Sequence, residues 1–176
     1  MNIPNAVTLF RILLIPVFCI LVTNHSRDIQ TIAMMVFILA ALTDWFDGYY
    51  ARKTKQVTNL GKLLDPLADK LLITTALIAL CAWTNNGIPR IPEWSVVVIL
   101  SREFLITGLR GMLADKGQIL PASKWGKVKT LSQIFAIILF LAYFDDLAIW
   151  VYYLAVAITV FSGLDYIVKT WKYILN

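Results

Sequence analysis

The sequence has little of what soluble enzymes commonly use for chemistry. It contains one histidine, two cysteines and only 15% charged residues in 176. His25 falls in a predicted connecting segment, so histidine-based metal binding or acid–base chemistry is not expected. Cys19 and Cys81 both fall inside apolar runs, which predicts two buried thiols and no disulfide.

The scarcity of charge accompanies an excess of apolar residues. Hydrophobic residues make up 59% of the chain, and the mean hydropathy is +0.72, values typical of an integral membrane protein. The first apolar run contains Arg11 and lacks a cleavage site, which favours a retained helix over a removed signal peptide. We predict an all-α, polytopic membrane protein, one domain over residues 1–176, with six transmembrane helices near residues 4–22, 31–50, 60–83, 94–113, 125–144 and 147–171.

The basic residues are distributed unevenly between the predicted loops. Arg27 and Arg90 fall on one side of the six helices, and the other lysines and arginines lie on or near the opposite side. The positive-inside rule therefore predicts that both termini and the connection between helices 2 and 3 face the cytoplasm.

Four aspartates border that connection. Asp44 and Asp47 are three residues apart, and Asp65 and Asp69 are four apart, so each pair shares one face of its helix. Carboxylates in an apolar setting require compensating cations. Because oxygen ligands without clustered histidine or cysteine favour Mg²⁺ or Mn²⁺ over structural zinc, we predict two divalent ions bound by these four residues.

Small and basic residues accompany the acids. Gly48 and Gly61 would leave room for a bulky ligand beside the helix backbones, and Arg52, one turn beyond Gly48, suits a phosphate. Pro66 indicates that the third helix either starts at Asp65 or is kinked there. On helix 1, Asn5, Thr8 and Arg11 could contact a nucleotide or phosphate, or could form only a cytoplasmic anchor.

The predicted helices 4 and 5 carry a second basic group. Arg110 and Lys127 are candidates for contacts to a substrate anion. For Lys124 and Lys129 we weigh a solvated position facing lipid phosphates. Arg102 and Glu103 are adjacent, do not face each other on a helix, and are expected to find partners elsewhere.

Residues 44–69 match the pattern D-x2-D-G-x2-A-R-x8-G-x3-D-x3-D at Asp44, Asp47, Gly48, Ala51, Arg52, Gly61, Asp65 and Asp69. This pattern resembles the signature of the CDP-alcohol phosphatidyltransferase family. The segment from Ile3 to Arg11, the Ser-Arg-Glu around Arg102 and the Gly-Lys-Val-Lys-Thr from Gly126 look like its bacterial phosphatidylglycerophosphate synthase branch.

The resemblance implies a function and roles for individual residues. It implies transfer of a phosphatidyl group from CDP-diacylglycerol to glycerol 3-phosphate, in a homodimer at the bacterial plasma membrane, with the active site facing the cytoplasm. Asp44, Asp47 and Asp65 would bind metal, while Asp69 would share that site and act as general base. The expected donor-binding residues are Asn5, Thr8, Arg11, Gly48, Arg52, Thr58, Gly61 and Lys62, and our hypothesis for the acceptor phosphate is Arg110, Lys124 and Lys127.

Two alternatives remain open from the sequence. The first is the same chemistry with another acceptor, such as phosphatidylglycerol, serine or an inositol compound. The second is a cation or proton transporter, because acids within membranes often mark ion paths. No nucleic-acid partner is expected.

Overall fold

The computed structural model describes the backbone of residues 3–24, 26–54, 59–85, 87–115 and 124–174. The side chains of residues 3–5, 44–54, 59–63, 65, 66, 85, 115, 124 and 172–174 lie outside the described residues. The described part of the chain forms six α-helices, which confirms the all-α prediction. They are α1 (Ile3–Val22), α2 (Arg27–Thr54), α3 (Asn59–Ala82), α4 (Glu93–Asp115), α5 (Lys124–Leu141) and α6 (Asp145–Ile174), with a short hairpin of β1 (Thr84–Asn85) and β2 (Ile88–Pro89) before α4.

Several helix ends differ from the predicted ones. α2 begins at Arg27 rather than near Thr31, with Asp28 in its first turn, where a negative charge stabilises the helix N-terminus. α6 begins at Asp145 rather than near Leu147, and its first turn also contains acidic residues, Asp145 and Asp146. α3 begins at Asn59, so the alternative that this helix starts at Asp65 is wrong.

The turn between α5 and α6 ends α5 earlier than predicted. Tyr143 has a φ of 62°, the left-handed conformation that usually favours glycine after a helix. The Phe144 N–H donates to the Leu139 carbonyl at 3.0 Å, and the Tyr143 N–H donates to the Phe140 carbonyl at 3.1 Å. This is the hydrogen-bond pattern of a Schellman motif.

The helices pack around a shared apolar core. α1 packs against α2 and α3, while α5 and α4 both pack against α6. Phe18 of α1 and Phe37 of α2 are buried, with ring centroids 5.4 Å apart. On the other side of the bundle, the Tyr152 hydroxyl hydrogen-bonds the Ser95 hydroxyl at 2.7 Å, joining α6 to α4.

The end of α1 is satisfied by a residue from α2. Buried Gln30 donates from Nε2 to the Val22 carbonyl at 2.8 Å and to the Asn24 carbonyl at 2.6 Å. The last carbonyls of a helix have no partner within it. This side chain therefore both caps α1 and fixes the turn into α2.

Arg27 and Arg90 lie at the same end of the bundle, as predicted. Both guanidinium groups lie over the Tyr143 ring, at 5.4 Å and 5.1 Å from its centroid. Arg90 also lies 3.7 Å from the centroid of a Trp83 ring and pairs with Asp145 at 3.1 Å. We call this the Arg90 end; it joins the α1–α2 turn, the β hairpin and the α5–α6 turn.

The outward faces of the helices are strongly apolar. Large exposed side chains include Leu13, Ile20, Phe104, Trp150 and Val168. Among the described residues, one helix, Asp145–Trp171, is long and apolar enough to cross a bilayer by length and composition, and a shorter apolar stretch covers Ala6–Val22. Both cysteines are free, but Cys19 is exposed and Cys81 half-buried, so the prediction of two buried thiols is wrong.

Candidate active site

The four aspartates of the signature lie on α2 and α3. Asp44 and Asp47 lie on α2, and Asp65 and Asp69 lie on α3, as the sequence predicted. Only the Asp69 side chain is among those described, and it is half-buried. The convergence of all four carboxylates therefore stays a prediction. Among the described side chains, no group of three His, Cys, Asp or Glu residues is placed to hold a metal ion.

Most of the predicted donor-binding residues have side chains that lie outside the described residues. Arg11 and Thr8 are described, and both are fully buried within α1. Thr58 lies outside the described residues altogether. The side chains of the others, Asn5, Gly48, Arg52, Gly61 and Lys62, also lie outside the described residues.

Arg11 is directed from α1 toward the start of the signature on α2. Its Nε lies 3.5 Å from the Thr43 hydroxyl, and Thr43 immediately precedes Asp44. A fully buried guanidinium needs partners that balance its charge. Arg11 therefore lies beside the residue that precedes the first aspartate of the signature.

A recess opens beside Asp69. It is formed by α3, α4 and α5, and polar side chains face it from all three helices. The apolar part of its wall comes from Ile73, Ile99 and Leu100, and the polar part from Asp69, Lys70, Thr74, Glu103, Lys129, Thr130 and Gln133.

Lys129 and Glu103 form an ion pair within this recess. The Lys129 ammonium donates to Glu103 Oε1, and Lys129 is only 4% exposed. The solvated, lipid-facing position weighed for Lys129 is therefore wrong. Lys129 faces inward because its ammonium group pairs with the Glu103 carboxylate of α4 and is not hydrated by bulk water.

Arg102 completes the ion pair from the other side of Glu103. Its Nη1 donates to Glu103 Oε1 at 3.1 Å, and its Nη2 donates to the Ser162 hydroxyl of α6 at 3.0 Å. The expectation that Arg102 and Glu103 find partners elsewhere is confirmed by Ser162 and Lys129. The expectation that the two would not face each other is wrong, since the Arg102 side chain also reaches Glu103. We call Arg102, Glu103 and Lys129 the triad.

The α6 side of the triad is shaped by a glycine. A Cβ placed on Gly163 would lie 3.0 Å from Arg102 Cγ, so Arg102 packs closely against this glycine. Nearby, Gln133 donates from Nε2 to the Thr159 hydroxyl at 3.0 Å. These contacts connect the recess to α6.

Two of the predicted acceptor residues, Arg110 and Lys127, do not line the recess. Lys127 is exposed on α5. Arg110 is exposed on α4, with its guanidinium 5.3 Å from the centroid of the Tyr166 ring. The Lys124 side chain is outside the described residues. Lys70, which was not predicted, lies on the recess wall and donates to the Thr107 hydroxyl of α4.

The charged residues on the recess wall are two lysines and two carboxylates. Lys70 and Lys129 both interact electrostatically with Asp69 and with Glu103. Ammonium groups in a partly dry site attract phosphate more strongly than they would in water. A carboxylate beside bound phosphate could accept a proton from a hydroxyl of the same molecule.

The donor set of the signature fits a divalent cation. All four of its acidic residues supply carboxylate oxygens, and α2 and α3 hold them at helical spacings. Hard cations such as Mg²⁺ prefer such ligands.

The model of the CDP-alcohol phosphatidyltransferase family matches residues 1–161 of this sequence. The chain belongs to this family. It is therefore a transferase, and members of the family generally use divalent metal ions. The resemblance seen in the signature is confirmed over nearly the whole chain.

Individual relatives extend the match to both ends. The chain is 45% identical to the CDP-diacylglycerol–glycerol-3-phosphate 3-phosphatidyltransferase of Bacillus subtilis, over 97% of this chain and 96% of the relative. Proteins of the same name from Pseudomonas fluorescens and Haemophilus influenzae are each 36% identical. Those alignments cover 99% and 94% of this chain and 92% and 91% of the relatives.

Proposed function

We propose that this enzyme transfers the phosphatidyl group of CDP-diacylglycerol to the C1 hydroxyl of sn-glycerol 3-phosphate, which gives phosphatidylglycerophosphate and CMP. The relatives named for this reaction support the proposal. The observation that carries it is the recess in which Asp69 of the signature meets the ammonium groups of Lys70 and Lys129. A carboxylate and two cations there would serve an acceptor with both a reacting hydroxyl and a phosphate.

The donor and the acceptor would occupy different parts of the site. CDP-diacylglycerol would lie along α1, α2 and the start of α3, beside the residues predicted for it. The acceptor would enter the recess between α3, α4 and α5. Lys70 and Lys129 would contact its phosphate in the recess, and Arg110, Lys124 and Lys127 would attract the anion from the outside.

Asp69 is the residue that would handle the proton. Its carboxylate would take the proton from the acceptor hydroxyl as the oxygen attacks the β-phosphorus of CDP-diacylglycerol. The bond from that phosphorus to the oxygen of CMP would break, and CMP would leave with the electron pair. The lysines on the recess wall would hold the acceptor phosphate and so keep its hydroxyl oriented for this attack.

We propose that Asp44, Asp47, Asp65 and Asp69 hold two divalent ions, Mg²⁺ or Mn²⁺. When bound, such ions would neutralise charge on the diphosphate. Asp69 would thus border both the metal site and the recess.

We further propose a bilayer setting with six spanning helices. Each of the six helices has at least 18 residues, a length of roughly 27 Å or more at 1.5 Å per residue, close to the apolar thickness of a membrane. The exposed apolar side chains would contact lipid. Both termini and the active site would face the cytoplasm of a bacterial cell, and the enzyme would act as a homodimer.

The decisive experiment supplies purified protein with CDP-diacylglycerol, Mg²⁺ and one acceptor at a time, and measures CMP release and the lipid product. We expect turnover with glycerol 3-phosphate. Turnover of serine, inositol phosphate or phosphatidylglycerol alone would replace the proposed acceptor. Absence of CMP release together with metal flux in liposomes would favour a transporter.

A further inference from the structure

Glu103 is the only acidic member of the triad, and it contacts both of the others through one oxygen. Its Oε1 accepts from Lys129 of α5 and from Arg102 on its own helix. Its side chain is 18% exposed, and that of Lys129 is 5% exposed. Glu103 also lies on the wall of the recess, so the pair is both buried and open to a ligand on one side.

Lys129 has a second carboxylate within electrostatic reach. Both Glu103 and Asp69 attract its ammonium group. Without Glu103, Asp69 would be a competing carboxylate on the recess wall, and a buried ammonium that has lost its partner would be drawn toward it. Such a shift would place the cation across the recess and would engage the carboxylate needed for the reaction.

Glu103 is itself held in place from α6. Arg102 donates to the Ser162 hydroxyl, which in turn donates to the Thr159 carbonyl at 3.0 Å. Arg102 also fills the space beside Gly163. Arg102 Nε is buried and has no hydrogen-bond partner among the described residues.

We propose that Glu103 is a positioning residue for the acceptor: it holds the Lys129 ammonium at the recess wall and away from Asp69, and Arg102 seated against Gly163 holds Glu103. This inference rests on the proposed function. Lys129 then presents its remaining N–H groups to the acceptor phosphate. Polar side chains between membrane helices often serve only to hold helices together; the test must separate that role from positioning.

The test compares steady-state constants for both substrates in Glu103→Gln and in wild-type enzyme. Glutamine keeps the size but loses the charge that holds Lys129. The KM for glycerol 3-phosphate should rise about tenfold, as expected for loss of one charge-assisted contact. The KM for CDP-diacylglycerol should stay within about twofold, and Glu103→Asp should restore part of the difference because it retains the carboxylate.

Gly163→Ala tests whether Arg102 holds Glu103 in place, without altering a charged residue. The new methyl group would press against Arg102 Cγ and shift its side chain, and the KM for glycerol 3-phosphate should rise about fivefold through a weakened hydrogen bond. Gly108→Ala on α4 is the matched control, since a Cβ there meets nothing within 4 Å. It should leave both KM values unchanged.

The outcomes separate the positioning role from the proposed function. Equal rises in both KM values, or no rise in either for Glu103→Gln and Gly163→Ala, would overturn the positioning role. A lower unfolding temperature with unchanged KM values would assign the triad to helix packing and overturn it as well. If the wild-type enzyme did not use glycerol 3-phosphate, the proposed function itself would fail.

Discussion

Asp69 occupies the point at which the signature meets the recess, and its substitution tests the proposed proton transfer. Asp69→Asn should lower turnover by at least about a hundredfold, since an amide cannot act as general base. Binding of CDP-diacylglycerol, measured directly by titration, should largely persist because the other donor-binding residues remain.

The control for this variant is Asp165→Asn on α6. Asp165 pairs with Lys169 at 2.8 Å on the same helix and does not line the recess. Its replacement should leave turnover unchanged. Activity of Asp69→Asn close to that of the wild-type enzyme would remove Asp69 from the reaction.

Lys129 and Lys127 are two residues apart and face different surroundings. Lys129 is buried on the recess wall, whereas Lys127 is exposed. Lys129→Met should raise the KM for glycerol 3-phosphate about tenfold to a hundredfold, the range for a buried charged contact. Lys127→Ala should raise it less, and its effect should fade as salt concentration increases. A larger effect at Lys127 than at Lys129 in this kinetic comparison would restore the original acceptor hypothesis.

The sequence contained part of the information needed to find the triad. Glu103 lies within an otherwise apolar helix, and a charge in such a setting needs a partner. What the sequence could not supply was the rotation of α4 and α5 about their axes, which decides whether Glu103 and Lys129 meet. For that reason the sequence favoured Lys127 as an acceptor contact and a lipid-facing position for Lys129.

At the scale of helices, the number and order of elements were predictable because each helix has a long apolar run. The ends of the helices were less predictable. α5 stops at Leu141 because Tyr143 adopts a left-handed conformation, and no pattern marks a tyrosine for that role. The ring contacts of Tyr143 with Trp83, Arg27 and Arg90 provide a reason for a bulky residue at this position, and they depend on the assembled bundle.

The Arg90 end offers a test of this assembly. Arg90 donates to the Phe140 carbonyl at 3.1 Å in addition to its contacts with Trp83 and Asp145. Arg90→Ala should destabilise the protein by about 2 kcal/mol, seen as a thermal unfolding midpoint in detergent lower by roughly 4–8 °C. Turnover at low temperature should be unchanged, because the active site lies at the other end of the bundle.

Arg27→Ala is the matched control at the same end. Arg27 is exposed, and its guanidinium group lies over the Tyr143 ring. The change should shift stability by no more than about 0.5 kcal/mol. Equal destabilisation by both variants, or none by Arg90→Ala, would show that the Arg90 contacts do not hold the three turns together.

Across the whole molecule, the two ends of the bundle differ in charge and in chemistry. The Arg90 end joins three turns through aromatic and ionic contacts, whereas the opposite end carries the aspartate signature, the recess and most of the basic residues. An enzyme that takes a lipid from the bilayer and a charged solute from water needs such an arrangement at one membrane surface. The uneven distribution of basic residues was visible in the sequence, but the joining of the turns around Tyr143 was not.

The proposed orientation predicts which end of the bundle is accessible from outside the cell. In a background with Cys19 and Cys81 replaced by serine, Ser26→Cys lies at the Arg90 end and Ala114→Cys near the cytoplasmic end of α4, both at exposed positions. A membrane-impermeant maleimide should label Ser26→Cys in intact cells and Ala114→Cys only after permeabilisation. Retained turnover in both variants would show that each is correctly folded. The reverse labelling pattern would place the active site on the outer surface, where CMP release could not serve cytoplasmic nucleotide pools, and would overturn the orientation while leaving the six-helix fold intact.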